Sequence, residues 1–262
     1  MKLNIVPART GIAWVKLGMR TFFKQPLALA GLFFMFMAVM TLASLVPFIG
    51  FALAMMLLPA ATLGLMSATR EAADGHFPMP LVLLAAFRAG RQQARAMLLL
   101  GGLYALGFLA AMGASWLVDG GNFARVYLGG AMPTQEMMMA PEFQWAMWVF
   151  LGLHLPLSLM FWHAPALVHW HDLPVVKSLF FSIIACFRNF WAYAIFGLTW
   201  LTVLILVVVG VTTLGALVSS PTLAGDILFP ALLLLASMFF TSLYFTFRDS
   251  FEPPPEPTKD SP

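Results

Sequence analysis

The 262-residue chain is 61% hydrophobic and 10% charged, where a soluble domain carries about 25% charged residues. So few charges cannot cover a surface in water, and lipid must be the solvent; 25 Phe, 18 Met and 8 Trp suit lipid-facing and interfacial positions. One cysteine, Cys186, excludes an intrachain disulfide, and with a net charge of only +3 no nucleic-acid partner is expected.

In chain order, residues from Arg9 to Lys24 read RTGIAWVKLGMRTFFK. Lys16, Arg20 and Lys24 recur every four residues on one helical face, and Ile12, Val15, Met19 and Phe22 lie on another. That pattern predicts an amphipathic helix in the membrane interface. Lys24 and Arg70 then enclose 45 uncharged residues, enough for two crossings of about 20 residues each, with a turn at Pro47 and Gly50. Pro80 opens a second amphipathic segment, LVLLAAFRAGRQQAR, in which Arg88, Arg91 and Arg95 are spaced to share one face. Arg95 and Asp119 enclose 23 uncharged residues, a third crossing. The loop at 119–142 is the one sizeable connection on the far side, and its GGN and GGAMP pieces argue against a packed domain. Glu142 and Asp172 enclose 29 uncharged residues, a long or kinked fourth crossing with Pro156 and Pro165 inside it. Pro174 opens a third amphipathic segment, VVKSLFFSIIACFRN, with Lys177 and Arg188 on one face. The fifth crossing and a loop around Ser219, Ser220 and Pro221 fill the 37 uncharged residues before Asp226, and 21 more before Arg248 make the sixth. The tail FEPPPEPTKDSP, 251–262, is too proline-rich for helix or strand and is expected to be disordered.

These runs lack the period-2 alternation of a membrane barrel. The expected fold is therefore all-α: a single membrane domain over 1–250 with six transmembrane helices and three cytoplasmic interfacial helices. Thirteen of the 14 Lys and Arg fall on one side of such a chain, with Arg125 alone opposite. The positive-inside rule then places both termini in the cytoplasm. The apolar run after Lys24 is too long for a signal-peptide core and reads as a retained anchor. Interfacial helix plus two-span hairpin occurs three times, over 8–68, 79–168 and 173–247, which suggests an internal repeat. Each junction pairs a basic residue with an amide: Lys24 with Gln25, Arg95 with Gln92, Arg188 with Asn189. A plain basic flank at each cytoplasmic helix start would explain the same pattern without duplication.

The segment Trp162, Ala164, Pro165, Ala166, Leu167, Val168, followed by Cys186, Arg188 and Asn189, resembles a family of uncharacterised six-span bacterial inner-membrane proteins. Its W-x-APALV and C-x-RN patterns, with the basic start and FFKQP, span most of the chain. That resemblance implies no assigned reaction or ligand. More distantly the architecture is similar to the membrane domain that accompanies some glycerophosphodiester phosphodiesterases.

The histidine-rich stretch FWHAPALVHWHD, 161–172, does not have metal-ligand spacing: His169 and His171 point apart on a helix, as do His163 and His169. Trp162 and Trp170 with His169 and His171 fit an interfacial belt. His154 lies deep in its span, where a polar ionisable group is costly, and is a candidate functional residue. Met132, Met137, Met138 and Met139 fit loop packing better than copper binding, since consecutive thioethers cannot all face one ion. Gly101 and Ala105 mark close helix contact. No nucleophile elbow, phosphate loop or zinc-protease motif is present, and no charge lies in mid-membrane. Neither catalytic residue nor metal nor cofactor is expected. The basic residues Lys16, Arg20, Lys24, Arg88, Arg91, Arg95, Lys177 and Arg188, with Asn189, are candidates for anionic lipid headgroups, each charge contributing about 1 kcal/mol near an anionic surface. The leading expectation is a non-enzymatic, membrane-organising or lipid-interacting protein. The alternatives are a transporter of a neutral or lipidic solute, using Pro156, Pro165 and His154, and an enzyme on lipid headgroups, using His169, His171 and Asp172.

Overall fold

The computed structural model describes residues 2–217 and 221–251. The expectations for Ser219 and Ser220 and for the tail from residue 252 onward lie outside the described residues. The chain is all-α. A basic helix α1 (Thr10–Lys24) precedes the spans α2 (Pro26–Ser44) and α3 (Gly50–Ala73). A 3-10 turn (Pro80–Leu84) and the short α4 (Ala85–Arg88) precede α5 (Arg91–Asp119). The far loop holds α6 (Asn122–Tyr127) and α7 (Gln135–Met139), followed by α8 (Pro141–Phe161) and its continuation α9 (Ala164–His171). The basic helix α10 (Val175–Arg188) precedes α11 (Phe190–Leu217) and α12 (Pro221–Ser250). Six of these units are long and apolar enough to cross a membrane: α2, α3, α5, α8 with α9, α11 and α12.

Their basic ends are tied together. The Gln25 amide donates to the His76 carbonyl at 3.0 Å, joining the start of α2 to the chain just past α3. The Gln93 amide donates to the Asp172 carboxylate, joining α5 to the end of α9. The Arg70 guanidinium sits 5.7 Å from the Trp170 ring, joining α3 to α9. It is Gln93, not Gln92, that bridges here: Gln92 is exposed and Gln93 faces inward.

Inside a bilayer, apolar burial gives little net drive, because lipid tails are as apolar as Leu; close packing and hydrogen bonds decide which helices meet. Gly101 shows the first of these. A Cβ there would run into the Met56 carbonyl oxygen, so α5 approaches α3 only because no side chain intervenes. Along the spans α8 packs on α5, α5 on α3, α3 on α12 and α12 on α11, with α2 against α3. Phe33 and Phe36 of α2 also meet Phe240 of α12, so α2, α3 and α12 pack mutually.

The helix α1 buries Trp14, Val15, Gly18, Thr21 and Phe22 against α11 and α12. It leaves Lys16, Arg20 and Lys24 exposed beside Ile12 and Phe23. In the same way α10 buries Val175, Ser178, Leu179, Ser182, Ala185 and Cys186 and exposes Lys177 and Arg188 beside Val176, Phe180 and Phe187. The second basic segment departs from the expected pattern. Gly90 adopts φ +115°, a conformation L-residues with side chains rarely take, and the helix breaks there. Arg88 ends α4 while Arg91 and Arg95 begin α5, so the three arginines are exposed but do not share one helical face.

Candidate functional site

The fourth crossing is interrupted. Pro165 has no N–H, and its ring cannot sit under the carbonyl four residues earlier. The helix stops at Phe161 and restarts at Ala164. An uninterrupted helix would have bonded the His163 N–H to the Leu159 carbonyl. Here the Ser182 hydroxyl of α10 stands between them: it accepts from the His163 N–H at 2.9 Å and donates to the Leu159 carbonyl at 2.8 Å. One side chain thus bridges two groups that the break separates, and the Cys186 thiol donates to the same Leu159 carbonyl at 3.8 Å.

The break swings Trp162 and His163 toward α12. The Trp162 indole N–H donates to Thr246 Oγ1 at 3.2 Å. Two more indoles reach the same face of α12: Trp200 donates to Ser242 Oγ at 3.2 Å and Trp14 to Asp249 Oδ2 at 3.0 Å. Three tryptophans from three elements therefore dock on one polar stripe of the last helix, spaced four and three residues apart. His163 is fully buried, and its Nε2 is hydrogen-bonded to the Tyr193 hydroxyl, which also lies 3.3 Å from Ser250 Oγ. The sequence pattern placed His163 in the same stretch as the interfacial Trp162, His169, Trp170 and His171; the proline break is what turns it into the interior.

Beside Trp162 lies a pocket of about 190 Å³ lined by Leu58, Pro59, Thr62, Tyr104, Ser158, Phe161, Trp162, Pro165, Phe239, Phe240 and Leu243. Thr62 and Tyr104 fall near the middles of α3 and α5, so the pocket reaches mid-membrane depth. Its wall is apolar except for three hydroxyls. Thr62 donates back to the Leu58 carbonyl at 2.9 Å, the usual resting place of a helical hydroxyl. Among the described residues Tyr104 and Ser158 have no hydrogen-bond partner; a polar group away from water and unpartnered costs about 1–3 kcal/mol. Phe239 also lines a second, wholly aliphatic and aromatic groove of about 300 Å³ between α11 and α12, with Trp200, Leu201, Leu204, Leu232, Leu235 and Ala236.

The residues singled out by sequence are distributed differently. His154 stacks on Phe150 at 5.0 Å and meets Phe108 edge-on; it lies one turn from Ser158 on α8 but does not line the pocket. His169 packs against Trp170, His171 against Phe247, and Asp172 ends α9 in a left-handed conformation held by Gln93. His169 and Asp172 lie within electrostatic reach of each other, while His171 turns to Phe247 and Phe251, so the three do not gather into one site. Met132, Met138 and Met139 are exposed and Met137 is partly buried, so the four do not form one cluster. Lys16, Arg20, Lys24, Arg88, Arg91, Arg95, Lys177 and Arg188 are all exposed at the basic ends, while Asn189 is buried. The Asn189 side chain does not serve its own junction. Its Oδ1 accepts from the Val6 N–H at 2.9 Å and its Nδ2 donates to the Asn4 carbonyl at 3.0 Å, so it holds the N-terminal segment. Sequence reasoning missed Tyr104, Ser158, Ser182 and Thr246; the only signal was a hydroxyl inside an apolar run, which is too common to single out.

No family model and no solved structure matches the chain. A protein of Burkholderia thailandensis described as a probable inner membrane protein is 36% identical over 254 residues, covering 96% of this chain and 94% of that one. Nearly full coverage of both chains, with six membrane-competent helices in this one, makes the likeness one of whole architecture: the chain belongs to the family of that Burkholderia protein and is a multi-pass protein of the bacterial inner membrane.

Proposed function

We propose that this protein is a non-enzymatic, lipid-interacting component of the inner membrane that holds a lipidic molecule in the pocket beside Trp162. The observation that carries this reading is the pocket itself, apolar, at membrane depth, and furnished with two unpartnered hydroxyls. The exposed basic residues at the ends of α1, α5 and α10 would hold anionic headgroups on the same side. In this reading α1 and α10 lie in the interface, where their outward faces mix Lys and Arg with Phe23, Phe180 and Phe187. Native mass spectrometry of the purified full chain tests the proposal: retained lipid is expected, and a protein free of lipid at gentle activation would end it.

A second reading, transport of a lipidic solute, is favoured by the broken helix at Trp162 and His163 beside the pocket, since interrupted helices line many transport sites. Exchange of a fluorescent lipid between leaflets in proteoliposomes separates the two: static binding predicts no acceleration over empty vesicles.

Orientation is a further part of the proposal, with both termini cytoplasmic. An impermeant maleimide applied to intact cells is expected to modify Gly130→Cys and to spare His76→Cys. The native Cys186 does not confuse the assay: it is buried, and burial pushes its thiol up to about 12, leaving little reactive thiolate. Modification of the residue-76 cysteine in intact cells would overturn the orientation.

A further inference from the structure

The lipid-binding reading leaves open which lipid, and three features of the paired cavities narrow it. The first is charge. No lining residue of either cavity is charged, and a charged group carried to this depth would meet no counter-ion. Phospholipid headgroups are thereby disfavoured. The second is hydrogen bonding. Tyr104 and Ser158 both carry a free donor, and they flank the pocket from α5 and α8. An occupant with a neutral acceptor would satisfy both. The third is size. At about 190 Å³ the pocket falls below the roughly 300–1,000 Å³ of sites that enclose a whole drug-sized ligand. It fits one end of a longer molecule. The rest must leave, and across Phe239 lies the α11–α12 groove of about 300 Å³, with a lining that offers nothing but apolar contact and the already bonded Trp200 indole.

We propose that the two cavities take one neutral, single-chain lipid, its uncharged oxygen-bearing end hydrogen-bonded by Tyr104 and Ser158 and its chain passing Phe239 into the groove between α11 and α12. Phe239 is then the residue that the chain must cross. It already packs edge-on against Trp162 and Trp200, at 6.4 Å and 5.9 Å, so the chain would lie against a wall of rings. A single-chain quinone, whose end bears acceptors only, and a single-chain alcohol, whose end both donates and accepts, share this chemistry.

The proposal rests on the lipid-binding reading, and the test separates the two. The full chain in nanodiscs of zwitterionic phospholipid is titrated with a geranylgeranyl quinone, with geranylgeraniol and with phosphatidylglycerol, and adducts are read by native mass spectrometry. Saturable one-to-one binding of a neutral probe is expected; whether quinone, alcohol or both bind identifies the source. Tyr104→Phe with Ser158→Ala removes two oxygens and no packing atoms. It is expected to weaken neutral-probe binding about tenfold or more, the scale of one hydrogen bond lost from a bound ligand, while phosphatidylglycerol adducts stay as they were. Ala236→Trp fills the groove, leaves both hydroxyls in place, and is expected to weaken the same probes. Neutral probes that bind the double variant as well as the native chain, or that fail where phosphatidylglycerol binds, overturn the proposal and leave lipid binding standing. Loss of every lipid adduct from the native chain overturns both.

Discussion

Ser182→Ala is expected to destabilise the protein by about 1–3 kcal/mol, chiefly through the stranded His163 N–H, since the Leu159 carbonyl keeps the weak donor of the Cys186 thiol at 3.8 Å. The comparison that makes this specific is one turn earlier on α10. Ser178 is equally buried, but its hydroxyl donates at 2.7 Å to the Val175 carbonyl of its own helix, and that bond bridges no break. Ser178→Ala is expected to cost well under half as much. Denaturant unfolding of both variants in one detergent decides it. Equal losses would show that α10 is held by general packing and that the break at residue 163 needs no keystone. The consequence for function follows from position. Trp162 and Pro165 floor the candidate lipid pocket, so a loosened break should also reduce lipid retained by the Ser182 variant before it unfolds.

How much of this could be read beforehand depends on the kind of signal. The six crossings could be read, because a bilayer demands long uncharged runs and the chain has few charges with which to interrupt them. The turn at Pro47 and Gly50 was legible for the same local reason. The basic segments could be read only in part. Lys16, Arg20 and Lys24 do share an exposed face, but Gly90 breaks the segment that carries Arg88, Arg91 and Arg95, and a glycine between basic residues does not announce a positive φ. The site was not legible. Its hydroxyls, Tyr104 and Ser158, are 54 residues apart in sequence, and nothing local distinguishes them from Thr62, Thr199 or Thr202, which bond back to their own helices. Conversely, the conspicuous cluster from His163 to Asp172 is scattered by the same proline that makes the site. Pro165 reads as a kink in its span. What it organises, an inserted serine and the Trp162 indole on α12, is set by helices that meet only in three dimensions.

Asn189→Leu is expected to release the N-terminal segment while the spans stay folded. Residues 3–6 run extended beside the end of α12: the Asn4 N–H donates to the Ser250 carbonyl at 2.9 Å, and Leu3 pairs with Phe251. The Asn189 side chain completes that strap from the other side with two hydrogen bonds, to Val6 and Asn4. Its amide plays the part of a neighbouring strand, and leucine, alike in branching but without donor or acceptor, can play no such part. The loss leaves the half-buried Val6 N–H and Asn4 carbonyl short of partners, at about 1–3 kcal/mol. Because the strap lies at the chain end, that cost appears as local opening rather than global unfolding. Amide exchange at Asn4 and Val6 should therefore rise by about one to two orders of magnitude, 1.4 kcal/mol being a factor of ten. Exchange in α3 and α5 should not change. Gln25→Leu is the counterpart at the first junction. Its one bond, to the His76 carbonyl, is exposed to solvent, so water replaces it and the expected change is within about 0.5 kcal/mol. The two substitutions remove the same amide chemistry from equivalent places in the chain order. A similar response from both would mean that Asn189 marks a helix start and nothing more. A response confined to Asn189 would show that the C-x-RN motif is written for the N-terminus, some 185 residues away.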